Sequence, residues 1–239
     1  LISNKPADEI DGNWVDVENE GSLNLSGNLL NVVIGKATDK EKGGLVNINS
    51  SISLGEKGKI RNNTVNINND GVGLTVNADK ITNSVIYVND NSLTLTGGTL
   101  NSNVNGGKTN INGDVVLASS SKIAASAVNV AENKSLTIAA GSSWNNAISG
   151  KGTTIFGADF DGNNNAVIET LLTNNGILTS NSANIKGNVS NNNKLTLNGN
   201  NDVFNNTISG SGDLTLNGVM TANKTISQKS ITNNGTLNS

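Results

Sequence analysis

Asp159, Asp161 and Asn163 stand at alternate positions in GADFDGNNN, residues 157–165. Side-chain oxygens at that spacing suit a hard divalent cation held in a loop, and calcium is the chemistry they would serve. The surrounding pattern departs from the helix–loop–helix calcium site. Glycine falls at the fourth place rather than the sixth, and Thr170 stands at the twelfth, where a bidentate glutamate belongs. The plainer reading of the segment is a solvated polar corner. Two aromatic residues form the other candidate site. Trp144 and Phe204 lie sixty residues apart, each just before an Asn-Asn pair. Exposed, they would stack on a sugar or anchor a partner; turned inward, they would cap a core. Phe156 and Phe160 flank the acidic segment and are placed to pack beneath it.

Much other chemistry is absent from the residue types. The chain has no histidine and no cysteine. Thiolate metal sites, disulfides and the Ser-His-Asp triad are therefore excluded. A β-rod enzyme acting on polysaccharides would need clustered carboxylates, or a carboxylate-held calcium with a basic residue. The 19 acidic residues are spread thinly, and six of them fall within residues 1–20. Lys151, close to the acidic segment in sequence, is replaced by Ser211 in a second copy of its surroundings. The expectation is a protein that is not an enzyme and that holds no cofactor, with calcium as the one candidate ion.

Composition turns attention to the elements that must position these residues. Of 239 residues, 34% are apolar, 3% aromatic and 15% charged, with a net charge of −3. That apolar share is too small for an ordinary rounded core, and the charge is too low for a self-repelling disordered chain. The apolar residues are mainly Val, Ile and Leu, and the excess is in Asn, Gly, Ser and Thr. The mix suits narrow β-structure with frequent turns. The charge balance carries no footprint for nucleic acid, and no apolar run approaches a membrane span. An acidic surface poor in charge also disfavours attachment to anionic membranes.

The chain repeats itself. NNAISGKG, residues 145–152, returns as NNTISGSG, residues 205–212. TNNGIL at 173–178 returns as TNNGTL at 232–237. Inside this unit of about sixty residues an apolar-Thr-apolar phrase recurs at Leu93, Leu136, Leu195 and Leu214, at spacings near multiples of about twenty. Alternation in SLNL, TVNIN and GLTV puts aliphatic side chains on one face at period two. Strands so short cannot build a sandwich, which is the runner-up architecture. Wound into a coil, each can pair with its successor, parallel and in register, and stack its aliphatics into a column. Asn then forms ladders between rungs and supplies the left-handed backbone at corners. The predicted fold is all-β, a parallel β-helix or solenoid of about 20 residues per rung, on the order of twelve rungs and roughly 55–60 Å long. Residues 1–20 read as a polar N-terminal cap or linker, and residues 21–239 as the solenoid. The start at Leu1 reads as that of a processed or excised piece.

SLTLTGGTL, KLTLNGNN, GDLTLNGVM and ITNNGTLNS resemble the passenger regions of Gram-negative autotransporters, the type V secreted surface proteins, in the Asn-rich style of rickettsial-type outer-membrane antigens. The resemblance covers about residues 21–239 and is one of phrasing. It implies a right-handed coil, export across the outer membrane and an extracellular position on the bacterial cell surface. It also implies adhesion to host or neighbouring cells through a surface protein or glycan, with self-association. The alternatives are a structural stalk or surface-layer segment, and the polysaccharide-active enzyme. No nucleic-acid partner and no membrane insertion of this segment are expected.

Overall fold

A computed structural model describes residues 11–15, 22–26, 29–35 and 43–239, apart from 126, 145, 146, 159 and 165; for strand residues 11–14, 29–32, 143–144 and 161–163 it describes the backbone only. The chain is a β-solenoid of about 10 turns, spaced about 19 residues apart. At the usual strand spacing, ten turns stack about 48 Å tall. Every pairing is parallel. One whole turn can be read from Ile81–Leu95, a continuous extended run of 15 residues. Its start pairs with Lys59–Arg61, its middle with Thr64–Ile67 and its end with Gly73–Val76. These three neighbours define three faces.

Each face buries every second residue, and the buried ones stack. On the first face Val15, Ile34, Ile60 and Ile81 follow one another in register. Leu100, Leu117, Ile138 and Phe156 continue that column, which then passes to Asn174 and Asn191. The second face stacks Leu23, Val46, Val65, Ile86, Val104 and Ile123. Its steps along the chain are 23, 19, 21, 18 and 19 residues. Variable corners thus absorb insertions while the strands keep register. The third face stacks Ile52, Leu74, Leu93, Thr109, Val128 and Ile148. Parallel pairing of short strands places like above like, so medium-sized aliphatics fill the core at a low aromatic content. Pairing also reaches into the acidic N-terminal segment, because Asp11–Val15 pairs with Leu29–Gly35.

Thr109 is the exception in its column. It is fully buried between Leu93 and Val128, and its hydroxyl has no hydrogen-bond partner. Thr154, equally buried in the first face, lies 2.6 Å from the hydroxyl of Thr170. Thr109→Val keeps the shape and removes an unsatisfied polar group, and should stabilise the rod by about 1 kcal/mol. A denaturation midpoint equal to or below that of the parent would contradict this.

The sixty-residue repeat and the coil are out of phase. Leu136-Thr137-Ile138 lies on the first face, whereas its copy Leu195-Thr196-Leu197 lies on the second. Ile148-Ser149-Gly150 is on the third face, and its copy Ile208-Ser209-Gly210 is on the first. One repeat therefore spans three turns and one further face. Any face accepts the same phrase, because each requires only an inward-outward alternation and a sharp exit. The exit explains the shared glycines. Gly150 and Gly210 have φ of 110° and 117°. A Cβ there would lie 2.2 Å from the carbonyl oxygens of Val130 and Asn191, respectively.

Candidate functional site

Asparagine ladders run along the outside of the rod. Asn47 Nδ2 donates to Asn24 Oδ1 at 2.9 Å, and Asn68 Nδ2 donates to Asn47 Oδ1 at 2.9 Å. Near the other end Asn217 Nδ2 donates to Asn198 Oδ1 at 3.0 Å, and Asn234 Nδ2 to Asn217 Oδ1 at 3.1 Å. Further pairs join Asn223 to Asn205 and Asn192 to Asn175. Each amide both donates and accepts, so the pattern can propagate from turn to turn. The ladders expected from the sequence are therefore present. Their result is a set of flat flanks on which the same polar group recurs once per turn.

One ladder is internal. Asn174 and Asn191 are fully buried. Asn174 Nδ2 donates to Asn191 Oδ1 at 2.8 Å and to the Lys194 carbonyl at 3.0 Å. Asn191 Nδ2 donates to the Asp213 carbonyl at 3.1 Å and to Gln228 Oε1 at 2.6 Å. These amides replace the aliphatics of the first-face column, with nearly all their hydrogen-bonding capacity used inside. They hold adjacent corners together and are not available to a ligand.

The candidate site residues are placed as follows. Phe204 is 2% exposed, in register with Ala222 on the third face. Its ring belongs to the core, so the reading of Phe204 as a ligand-stacking aromatic is corrected: its repeat position points inward. Trp144 has its backbone in Ser143–Trp144, in register with buried Ile123 on the second face, and its side chain lies outside the described residues. The sequence match thus joins two residues on different faces. Asp159 lies outside the described residues. Asp161 and Asn163 belong to the strand Asp161–Asn164, which pairs with Ile177–Asn181; their side chains are likewise outside the description. Phe156 and Phe160 pack together, with ring centroids 4.8 Å apart and planes at 53°. Among the described residues, no three acidic side chains converge in a way that would hold a metal ion.

No protein-family profile, curated protein or solved structure matches this chain. What it can do must therefore be argued from its surface. Acid–base chemistry has few candidates there. Asp202 is held below its ordinary value of 3.8, chiefly by the Ser182 hydroxyl. That hydroxyl donates to Asp202 Oδ2 at 2.6 Å, and the Asn200 amide donates to the same oxygen at 3.0 Å. Lys186 adds a smaller attraction. The arrangement is a corner clasp: Ser182 is committed to the carboxylate and is itself buried. A carboxylate whose pKa is depressed on folding stabilises the fold above its unfolded pKa, and this contribution fades as pH falls through the folded value. Asp202→Asn should therefore lower the melting temperature at pH 7 and lower it by less near pH 2. Solvent screening keeps the loss below about 1 kcal/mol. Equal losses at both pH values would contradict this origin.

Sequence reasoning did not find the exposed apolar side chains on the flanks. Val116, Leu171, Ile177 and Val203 are each more than a third exposed. They stand singly among polar neighbours, as Thr99 and Thr137 flank Val116 in register. Their outward placement is legible in sequence only once each strand's face is known.

Proposed function

We propose that this chain is a displayed β-rod that attaches its bearer to host or neighbouring cells through its flanks. The single observation behind this reading is the in-register repetition of polar groups on the outer faces. A surface of that kind makes many weak, reversible contacts, which repetition multiplies through avidity. The resemblance of its phrasing to autotransporter passengers supports the same reading. It adds export to the bacterial surface, a protein or glycan receptor, self-association between rods and no enzymatic activity. Beads coated with the folded chain should bind epithelial or bacterial cells and clump one another, whereas beads carrying heat-unfolded chain should not. Beads that neither bind nor clump would favour the second reading, a stalk or surface-layer segment, to which the evenly stacked core is equally suited. A polysaccharide panel with a reducing-end assay should show no cleavage.

A further inference from the structure

The corner between the first and second faces is dented over four successive turns. Each turn places a polar dyad there: Asn62-Asn63, Asn83-Ser84, Asn101-Ser102 and Ser120-Ser121. Asn62, Asn83 and Ser120 have φ of 58°, 51° and 66°, a left-handed bend that throws the next residue inward. That next residue is buried, at 3%, 2%, 5% and 4% exposure in the four turns. It is small and polar where an aliphatic would have filled the corner. Hydrogen bonds from turn to turn hold the floor of the dent, and one polar atom there, Asn63 Oδ1, is buried without a partner. The Asn63 amide donates to Ser84 Oγ at 3.3 Å, and the Ser84 amide donates to Ser102 Oγ at 3.2 Å. Ser102 Oγ in turn donates to the Ile81 carbonyl at 3.0 Å. A floor held in this way is rigid, so the hollow is preformed.

Three concavities of about 320, 310 and 210 Å³ meet at Asn83 and follow this corner. At a rise of about 4.8 Å per turn, four turns give a groove about 14 Å long. Its rim presents amides, among them exposed Asn83 and Asn101. The middle concavity is lined by Lys59, Arg61 and Lys80 and by a single acid, Asp79; the Lys80 ammonium donates to the Gly55 and Glu56 carbonyls. Its local charge is thus positive on a chain whose net charge is −3. Val85 lines the other two concavities. Two residues on, facing outward from the same strand and about 7 Å along it from Val85, Tyr87 is 43% exposed. It is the only tyrosine in the chain.

We propose that this groove binds an acidic oligosaccharide, a chain of hydroxyl-rich rings bearing carboxylates. The proposal rests on the reading of the rod as an attachment surface and names the ligand class. Amides that donate and accept match neighbouring hydroxyls. The cations match a carboxylate, and the Tyr87 ring offers a flat apolar platform to the C–H face of a sugar, with a polar tip. The narrow width and single aromatic disfavour a nucleic acid, which needs a longer basic track and stacked rings.

The test titrates the whole folded chain with short oligouronates and with neutral hexose oligomers of equal length. Oligouronates should bind, more weakly at high salt, and neutral oligomers should bind at least about tenfold less tightly. Tyr87→Ala and Lys59→Ala, both at exposed positions, should each weaken binding about fivefold with unchanged circular dichroism. Asn101→Phe, which fills the groove from its rim, should abolish it. Equal affinity for neutral oligomers, or parent-like binding by all three variants, would overturn the proposal. Beads coated with the chain separate the two readings. If parent and Asn101→Phe beads attach equally to cells while no oligouronate binds, the groove assignment falls and attachment stands. If oligouronates bind and the variants lose them, yet no bead attaches to any cell, the groove stands and the attachment reading falls.

Discussion

Phe156→Ala is expected to destabilise the rod by about 3–5 kcal/mol. Phe156 is fully buried and is among the largest side chains in the core. It sits in the first-face column between Ile138 and Asn174, with Phe160 against its ring. Backbone hydrogen bonds fix the coils above and below, so the walls cannot collapse into the space. Both transfer and cavity terms should be felt, and the loss of the ring pair adds to them. Urea unfolding of parent and variant measures the difference. A loss below about 1 kcal/mol would mean that the column is loosely packed at this level.

The second large effect belongs to Asn191. Truncation to alanine removes a buried amide that accepts from buried Asn174 and donates to the half-buried Asp213 carbonyl and Gln228 Oε1. Buried groups left without partners, together with the cavity, should cost about 2–4 kcal/mol. The damage should also be local. Each turn touches mainly its neighbours, with Asn191 reaching Gln228 two turns on past Gly210, so stability is close to a sum of turn and interface terms. Hydrogen exchange should show lost protection over residues 171–222 and near-parent protection before residue 125. A uniform loss along the whole rod would contradict the nearest-neighbour picture. Asn191→Asp is the sharper variant. A carboxylate there would face the Asp213 carbonyl and Gln228 Oε1, so burial and these acceptors would raise its pKa. Its destabilisation should be severe at pH 7 and ease as pH falls and the acid protonates.

The solenoid itself was legible because the alternation in SLNL, TVNIN and GLTV fixes which residues point inward. The excess of Asn likewise announced the ladders that now join Asn24, Asn47 and Asn68. What alternation cannot give is the face on which a phrase lies. Phe204 and Trp144 match in sequence, yet the count of corners between them places them on different faces, and Phe204 is buried. The buried spine of Asn174 and Asn191 was hidden for a related reason. Asn is common on both sides of every strand, and only register with Ile138 and Phe156 marks these two as core positions. The corner dent was hidden as well. It depends on left-handed backbone at Asn62, Asn83 and Ser120, and nothing in their side chains separates them from the many Asn and Ser that lie in strands.

The repeat's slip of one face has a consequence for how such a rod can lengthen. Duplicated segments need not contain a whole number of coils, since each side of the prism obeys one rule. A copy three turns and a third long adds about 16 Å and displays its motifs a third of the way round the axis. Successive duplications would therefore wind their shared features around the shaft like a thread on a screw. A partner that grips one copy from the side would find the next facing away from it, and would meet the same orientation again only after three copies.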